Sequence, residues 1–498
     1  MLSVFAGLTA SRLLPLMRPD ELMLDEWMLA LALQHEPVIW PSTALSLFEQ
    51  SAPWGVLVLF KALISGFGFS LVALRAPVAI ASLLGLWFLW RAARGVLERP
   101  AAVFALAIAG LTSVSLSYAP MFKQYSFEFA SSAMILWAAV AMARGRLSLR
   151  SVGVFAGVSL LALLFSATAP MATAACGAGV LAEAARRRQL DRAGLWRFGI
   201  AGSIYLALTA GWYLLAFRPA TAFQFSGYAD IYAAGRLHFE AGSISRFFGL
   251  FTSLIRFPNV PAAQSLAWAL YGLVGLAGGL ITWRRAGGDI LPSVSAVVLV
   301  AGLATASAAG VAPVIYHRHV LFTLPILALG LGAGAQAWLG LTAPRAGALR
   351  TAGSALALGA AVFVSAAAVQ QSRHLASEQV ASVLTRGAPK CARVWSYYGA
   401  LPAALAFQQQ HPAMRLAGVI AYQSSNDGWL TRVRAGFDAY ADQQVTALSA
   451  EPQVCILIAH ARTEERRKLL TRLDKEFSCT LGERATGAEL LNCRRRMG

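Results

Sequence analysis

The feature that most restricts this chain is a series of long apolar runs recurring from its start to about residue 370. They fall at 1–17, 72–92, 100–118, 126–143, 151–166, 168–185, 197–217, 263–283, 290–311, 320–341 and 350–370. Most are near the ~20 residues that a helix needs to cross a bilayer. They predict an all-α polytopic membrane domain of about 11 transmembrane helices over residues 1–370. Composition excludes the alternatives: of 498 residues, 57% are hydrophobic and 13% charged, against roughly 25% charged in a soluble domain. A soluble chain of this size has too little polar surface to cover so large an apolar content, and disorder is excluded on the same ground. The stretch WGVLVLFKALISG at 54–66 is apolar but carries Lys61. It reads as a juxtamembrane or half-embedded helix.

Charge sets the orientation. The 42 Lys+Arg exceed the 24 Asp+Glu by +18, a balance that in a soluble chain would suggest nucleic acid. Here the cations cluster between spans: Arg91, Arg94 and Arg99; Arg144, Arg146 and Arg150; Arg186–Arg188 with Arg192 and Arg197; Arg284 and Arg285; Arg345 and Arg350. With the spans above, every cluster falls on one side, which the positive-inside rule makes the cytoplasm. No nucleic-acid partner is expected. Treating 54–66 as a crossing would split the clusters between faces. No basic region precedes the first run, so it reads as an uncleaved anchor and not as a signal peptide. The other, periplasmic side of a bacterial inner membrane then holds the loops 18–53, 119–125, 218–262 and 312–319, and a tail from about 371 to 498.

The tail is less apolar. KCARVWSYYGALPAALAFQQQ and EPQVCILIAHARTEERRKLLTRLDKEF each pass from a β-rich run to a helix-like one, predicting a small extracytoplasmic α/β domain over 371–498. Four of the five cysteines lie there. On an oxidising face Cys479 pairs with Cys493 and Cys391 with Cys455; buried free thiols are the alternative. No CxxC or HxxxH spacing points to a metal. Tyr397, Tyr398 and Trp429 either stack on sugars or belong to the domain's core.

Three segments on the outer side carry chemistry. The loop at 18–53 gathers Asp20, Glu21, Asp25, Glu26, Glu36 and Glu49. Pro19-Asp20 reads as a helix start with acids favoured in the first turn; the acids are either a solvated cap on an interfacial helix or a general base held at the membrane surface. In SLSYAPMFKQYSFEF, Lys123 lies between Tyr118 and Tyr125, either snorkelling to the interface or holding a phosphate. In VAPVIYHRHVLFTLPIL, His317, Arg318 and His319 follow Tyr316 on the face where cations are least expected. They suggest an anion site more than a metal site.

Together these segments resemble the GT-C glycosyltransferases that use polyprenyl-phosphate-linked sugars, the glycosyltransferase 39 and aminoarabinose-transferase type. The resemblance rests on Asp25-Glu26 in MLDEWMLAL; on SAPWGVLVLFKALISGFGFSLVALRAPVAIASLLG with Pro53, Gly68, Arg75 and Pro77; on Lys123-Gln124-Tyr125-Ser126; on Arg318 and Pro325; and on VWSYYGALPAALAF in the tail. The chain departs from the pattern at Met121, where many relatives have a glutamate, and at Lys123, where many have arginine. The resemblance implies an inverting sugar transfer to an acceptor hydroxyl of a glycolipid, glycan or protein in the cell envelope. Asp25 is the implied base, with Glu26 a secondary carboxylate. Lys123, Arg318, Arg75, Tyr125 and His319 are the implied donor-phosphate ligands. No cofactor is required; a divalent metal is compatible but not implied. Two other readings stay open. One is a flippase for a lipid-linked sugar. The other is a ligase or polymerase using a lipid-diphosphate donor, for which Arg236, His238 and Arg246 in the loop 218–262 would serve.

Overall fold

The computed structural model describes residues 2–17, 22–256, 289–342, 362–370, 379–417 and 436–496, apart from residues 46, 146, 313, 315 and 364. The expected span 263–283 and most of 350–370 lie outside the described residues, as do Pro19, Asp20, Glu21, Arg146, Arg284, Arg285, Arg345, Arg350 and Trp429.

The chain begins with α1 (Leu2–Leu13) and α2 (Leu24–His35), followed by α3 (Trp54–Phe67), α4 (Leu71–Val96), α5 (Arg99–Leu111) and α6 (Ser113–Tyr118). Then come α7 (Tyr125–Arg144), α8 (Leu149–Phe165), α9 (Ala169–Arg186), α10 (Arg192–Trp212), α11 (Ala241–Leu254), α12 (Leu291–Ala308) and α13 (Leu324–Thr342). Among the described residues, five helices are long and apolar enough to cross a membrane: Leu71–Val96, Tyr125–Arg144, Arg192–Ala220, Leu291–Ala308 and His317–Ala337. Leu2–Leu16, Trp54–Phe67, Arg99–Leu111 and Leu149–Phe165 are shorter and apolar. The chain is a multi-pass membrane protein.

Two expectations change. The run 100–118 is two helices, because Thr112 is extended (ψ 152) and the Ser113 N–H turns to the carbonyl of Arg256 at 2.8 Å. Helix α2 begins at Leu24 instead of at Pro19-Asp20, which puts Asp25 and Glu26 in its first turn.

α7 is the bundle's centre, packed against α4, α8 and α9 and buried on nearly every face. Small residues allow the close approach: a Cβ on Gly85 of α4 would stand 2.6 Å from the Phe129 ring of α7. A fully buried guanidinium ties α1 to this core. Arg12 donates to Ser82 Oγ at 2.8 Å, to the Gly110 carbonyl at 2.8 Å and to Ser115 Oγ at 2.9 Å.

Among the described residues, arginines of the clusters between spans gather at one end of the bundle. Gly95 near the end of α4 faces Val140 and Arg144 of α7, and Arg197 of α10 donates to the Leu147 carbonyl at 3.3 Å. Here the buried Glu183 accepts from Arg186 and Arg187, each at 2.5 Å, and from the Ile290 N–H at 2.8 Å. Asp289 completes the network by pairing with Arg187.

The tail adds α14 (Val380–Gly387), β1 (Val394–Ser396), α15 (Leu401–Gln410), β2 (Leu416–Ala417), α16 (Phe437–Leu448), β3 (Gln453–Ala459), α17 (Thr463–Glu476), β4 (Phe477–Ala485) and β5 (Ala488–Arg495). Its five-stranded sheet has the order β2-β1-β3-β5-β4. β1 runs parallel to β2 and β3, while β5 is antiparallel to β3 and β4. Both β-then-helix readings hold, as β1–α15 and β3–α17. Both cysteine pairs are disulfides, Cys391–Cys455 and Cys479–Cys493. Tyr397 and Tyr398 are core residues: both hydroxyls donate to Glu465 Oε2, at 2.7 and 3.0 Å. Burial pushes the Tyr397 hydroxyl far above its usual range.

This tail shares its core with the N-terminal loop. α2 packs against α15 and α3, and Leu29, Leu33 and Phe60 belong to the same buried cluster as Leu401 and Ala404. Lys61 of α3 donates to the Leu33 carbonyl at 2.9 Å, placing a cation on the last carbonyls of α2, where the helix dipole favours one.

Candidate active site

At the end of the bundle away from Glu183, a cavity of about 370 Å³ opens between the membrane helices and the tail. The N-terminus of α2, the turn before α7, the turn His317–Thr323 and the β3–α17 connection all reach it.

Two adjacent carboxylates have different fates there. The Asp25 side chain is 38% exposed and lines the cavity; it accepts from Arg318 Nη1 at 2.8 Å. Glu26 is 2% exposed and outside the lining. Its carboxylate accepts the Met23 N–H at 2.8 Å and the Phe122 N–H at 2.6 Å, capping α2 and clamping it to the turn that carries Lys123. Burial pushes the Glu26 carboxyl up, against the pull of Arg75 and of those two donors. For Asp25, burial also pushes up, but Lys123, Arg318 and His460 together leave it below its usual value. Asp25 is therefore ionised at neutral pH.

Lys123 is buried, and its Nζ donates to Gln50 Oε1 at 2.6 Å. Burial lowers its pKa to about 8, against the raising effect of Asp25 and Glu26. Gln50 follows two residues in the left-handed region, Phe48 (φ 60) and Glu49 (φ 54), a costly conformation for residues other than glycine. The Phe48 carbonyl holds the Gln50 amide at 2.8 Å. The Arg318 guanidinium lies over the Tyr316 ring, 4.8 Å from its centroid, and His319 meets the same ring edge-on. Tyr125 lines the cavity beside Tyr118, their rings 5.2 Å apart.

By sequence, no protein-family model matches the chain, and no curated protein matches it. Solved structures do. ArnT from Cupriavidus metallidurans, in the apo state, aligns with a TM-score of 0.56 at 14% identity over 99% of this chain and 97% of its own. The same ArnT bound to undecaprenyl phosphate aligns with a TM-score of 0.56 at 15% identity over 99% and 97%. The Archaeoglobus fulgidus oligosaccharyltransferase in complex with Zn and sulfate aligns with a TM-score of 0.54 at 12% identity over 96% of this chain and 71% of its own. The chain has the GT-C fold.

The GT-C fold brings Asp25, Lys123, Tyr125, Arg318 and His319 to one cavity. Arg75 stays behind it, buried in α4 near Glu26 and 3.5 Å from the Pro15 carbonyl. Arg236, His238 and Arg246 do not line the cavity; Arg236 lies against Gly310. Their loop contributes Gln224, Tyr228 and Tyr232 instead, with Gln224 bonded to Ser51. The spacing of Tyr228 and Tyr232, four apart on a helical segment, was the signal available for them. Nothing local marked Gln50 or His460, which chain segments far apart in sequence bring to the site.

Proposed function

We propose that this protein transfers a sugar from a polyprenyl-phosphate donor to an acceptor hydroxyl of a glycolipid, glycan or protein, on the periplasmic side of a bacterial inner membrane. The observation that carries this reading is a half-exposed, ionised Asp25 held in one cavity with a buried Lys123 and Arg318. The basic end of the bundle supports the orientation, since cations favour the cytoplasmic side. ArnT, on the same fold, has been seen with undecaprenyl phosphate.

In this reading the donor phosphate takes its place between Lys123 and Arg318, which draws Arg318 away from Asp25. The acceptor oxygen bonds to the anomeric carbon as the bond from that carbon to the phosphate oxygen breaks. The hydroxyl proton passes to Asp25, and the electron pair leaves on the polyprenyl phosphate, where the two cations stabilise it. A single displacement inverts the anomeric centre. Tyr125 and His319 supply hydrogen bonds to the phosphate, while Glu26 and Arg75 position α2. The neighbours of Asp25 are cations, and among the described residues no three His, Cys, Asp or Glu side chains form a metal-binding group. In this reading Lys123 and Arg318 carry the phosphate charge, and a divalent metal is compatible with the site without being required.

Asp25→Asn and Lys123→Ala proteins that insert normally are the test, assayed for transfer in membranes with the donor identified by mass spectrometry of the products. We expect the first to lose roughly 10²–10⁴-fold in rate and the second about 10²-fold. Full activity in both would sink the assignment. A diphosphate leaving group would favour the ligase reading, and donor translocation without transfer the flippase.

A further inference from the structure

Among the described residues of the tail, His460 alone lines the cavity, and the surrounding residues fix its position. After β3 the chain turns at His460, whose φ of 52 is left-handed. An imidazole in that conformation persists only where its neighbours over-determine it. Gly399 lies directly against this turn: a Cβ there would stand 2.8 Å from the Ala459 oxygen and 3.2 Å from the His460 Cβ. On the other side, Glu465 takes the hydroxyls of Tyr397 and Tyr398 and accepts the Arg462 N–H at 3.4 Å.

His460 lines two cavities. One is the site of Asp25, and the other, about 290 Å³, lies in the tail and includes Arg466, Arg484 and Glu489. Arg466 is committed to Glu489, with Nη2 3.0 Å from Oε2. Among the described residues the Arg484 guanidinium has no ion pair or hydrogen-bond acceptor, although Glu489 is its cross-strand partner. The tail cavity therefore offers a fixed guanidinium–carboxylate fork for hydroxyl groups, one uncommitted cation, and an imidazole shared with the reacting cavity. Polar groups converging in a concave site, with a planar guanidinium for an oxyanion, suit an anionic carbohydrate.

We infer that the tail cavity is the acceptor's binding site, and that the acceptor is a saccharide bearing a phosphate or carboxylate group. Arg484 takes that anionic group, and the reacting hydroxyl passes His460 to reach Asp25. The acceptor role rests on the transfer reaction proposed above; the binding site itself does not.

The test is saturation-transfer difference NMR on the purified full-length protein, without donor, using N-acetylglucosamine 1-phosphate, glucuronic acid and neutral N-acetylglucosamine as probes. We expect at least one anionic sugar to give a signal several-fold above the neutral one; which of the two does so separates phosphate from carboxylate. Arg484→Gln should reduce that signal at least five-fold with an unchanged unfolding midpoint, and Lys123→Ala should leave it intact. Equal signals from all three sugars would overturn the proposal. So would an undiminished signal in Arg484→Gln, or one lost in Lys123→Ala, which would place the probe in the donor cavity. No turnover is measured, so a protein that binds through Arg484 but transfers no sugar would sink the proposed reaction and leave this site standing.

Discussion

Both ends of the helical bundle hold carboxylates among arginines, and the two clusters are built to opposite ends. At the basic end, Glu183 is 1% exposed and accepts hydrogen bonds from three residues, so its acceptor capacity is largely filled from within the chain. α12, about 27 Å long at 1.5 Å per residue, leads from there to the turn that carries Arg318. At that far end Asp25 has one ion pair and faces open volume. A saturated network fixes helices; an unsaturated one, with two cations and one accessible carboxylate, has capacity left for a ligand. The difference lies in satisfaction and access, since both clusters set carboxylates against cations, Glu183 and Asp289 with Arg186 and Arg187 at one end and Asp25 with Arg318 and Lys123 at the other.

The sharpest way to break this comparison is a pair of isosteric changes. Asp25→Asn should leave the unfolding midpoint in detergent unchanged while transfer falls roughly 10²–10⁴-fold. Glu183→Gln should do the reverse, costing about 2–3 kcal/mol by weakening bonds to partly exposed arginines, with activity per folded molecule retained. Thermal unfolding and membrane transfer assays on both variants decide it. An unfolded Asp25→Asn, or a stable but inactive Glu183→Gln, would erase the distinction.

Next in size is the pH dependence. Burial brings Lys123 to about 8, and its charged form, which the proposed phosphate role requires, is present below that pH and lost above it. The profile of kcat/KM, which reports the free enzyme, should therefore fall on an alkaline limb with a midpoint near 8. Lys123→Arg should remove that limb, because a guanidinium stays protonated throughout. A limb that persists unchanged in Lys123→Arg would assign it to another group.

Smaller effects belong to the supporting residues. Glu26→Gln keeps one carbonyl acceptor but replaces the other oxygen with a donor facing an N–H. It should cut kcat about ten-fold by loosening α2, with little change in the alkaline limb; an effect as large as that of Asp25→Asn would make Glu26 a reacting group. Tyr397→Phe removes one of two hydroxyls on Glu465 and should cost about 1 kcal/mol, with transfer within two-fold of wild type.

Legibility in the sequence followed the range of the interactions. Apolar runs and arginine clusters are local signals, so α4, α7 and α12 and the basic end were readable directly. The β-to-helix switch made β3–α17 readable for the same reason. Lys123 and Arg318 stood out because each is a cation where apolar or uncharged residues prevail, whereas Asp25, one of six acids in its loop, was singled out only by the family resemblance of MLDEWMLAL. Glu26 shares its neighbour's charge, and its burial against the backbone N–H groups of Met23 and Phe122 is what distinguishes its surroundings from those of Asp25. The break at Thr112 depends on Arg256, and the site contact of His460 on residues such as Asp25 and Lys123 that lie far from it in sequence. Neither leaves a trace in the residues nearby.

The core that α2 shares with the tail has a consequence for how the protein is made. α2 is synthesised before the spans that follow it, yet α15, against which it packs, belongs to the tail and emerges only after those spans. Until that tail has folded, α2 has α3 to pack against but lacks α15. A chain that holds Asp25, Lys123 and Arg318 but whose tail has not yet folded would therefore be inert in the proposed reaction, because Asp25 would not be held at the cavity.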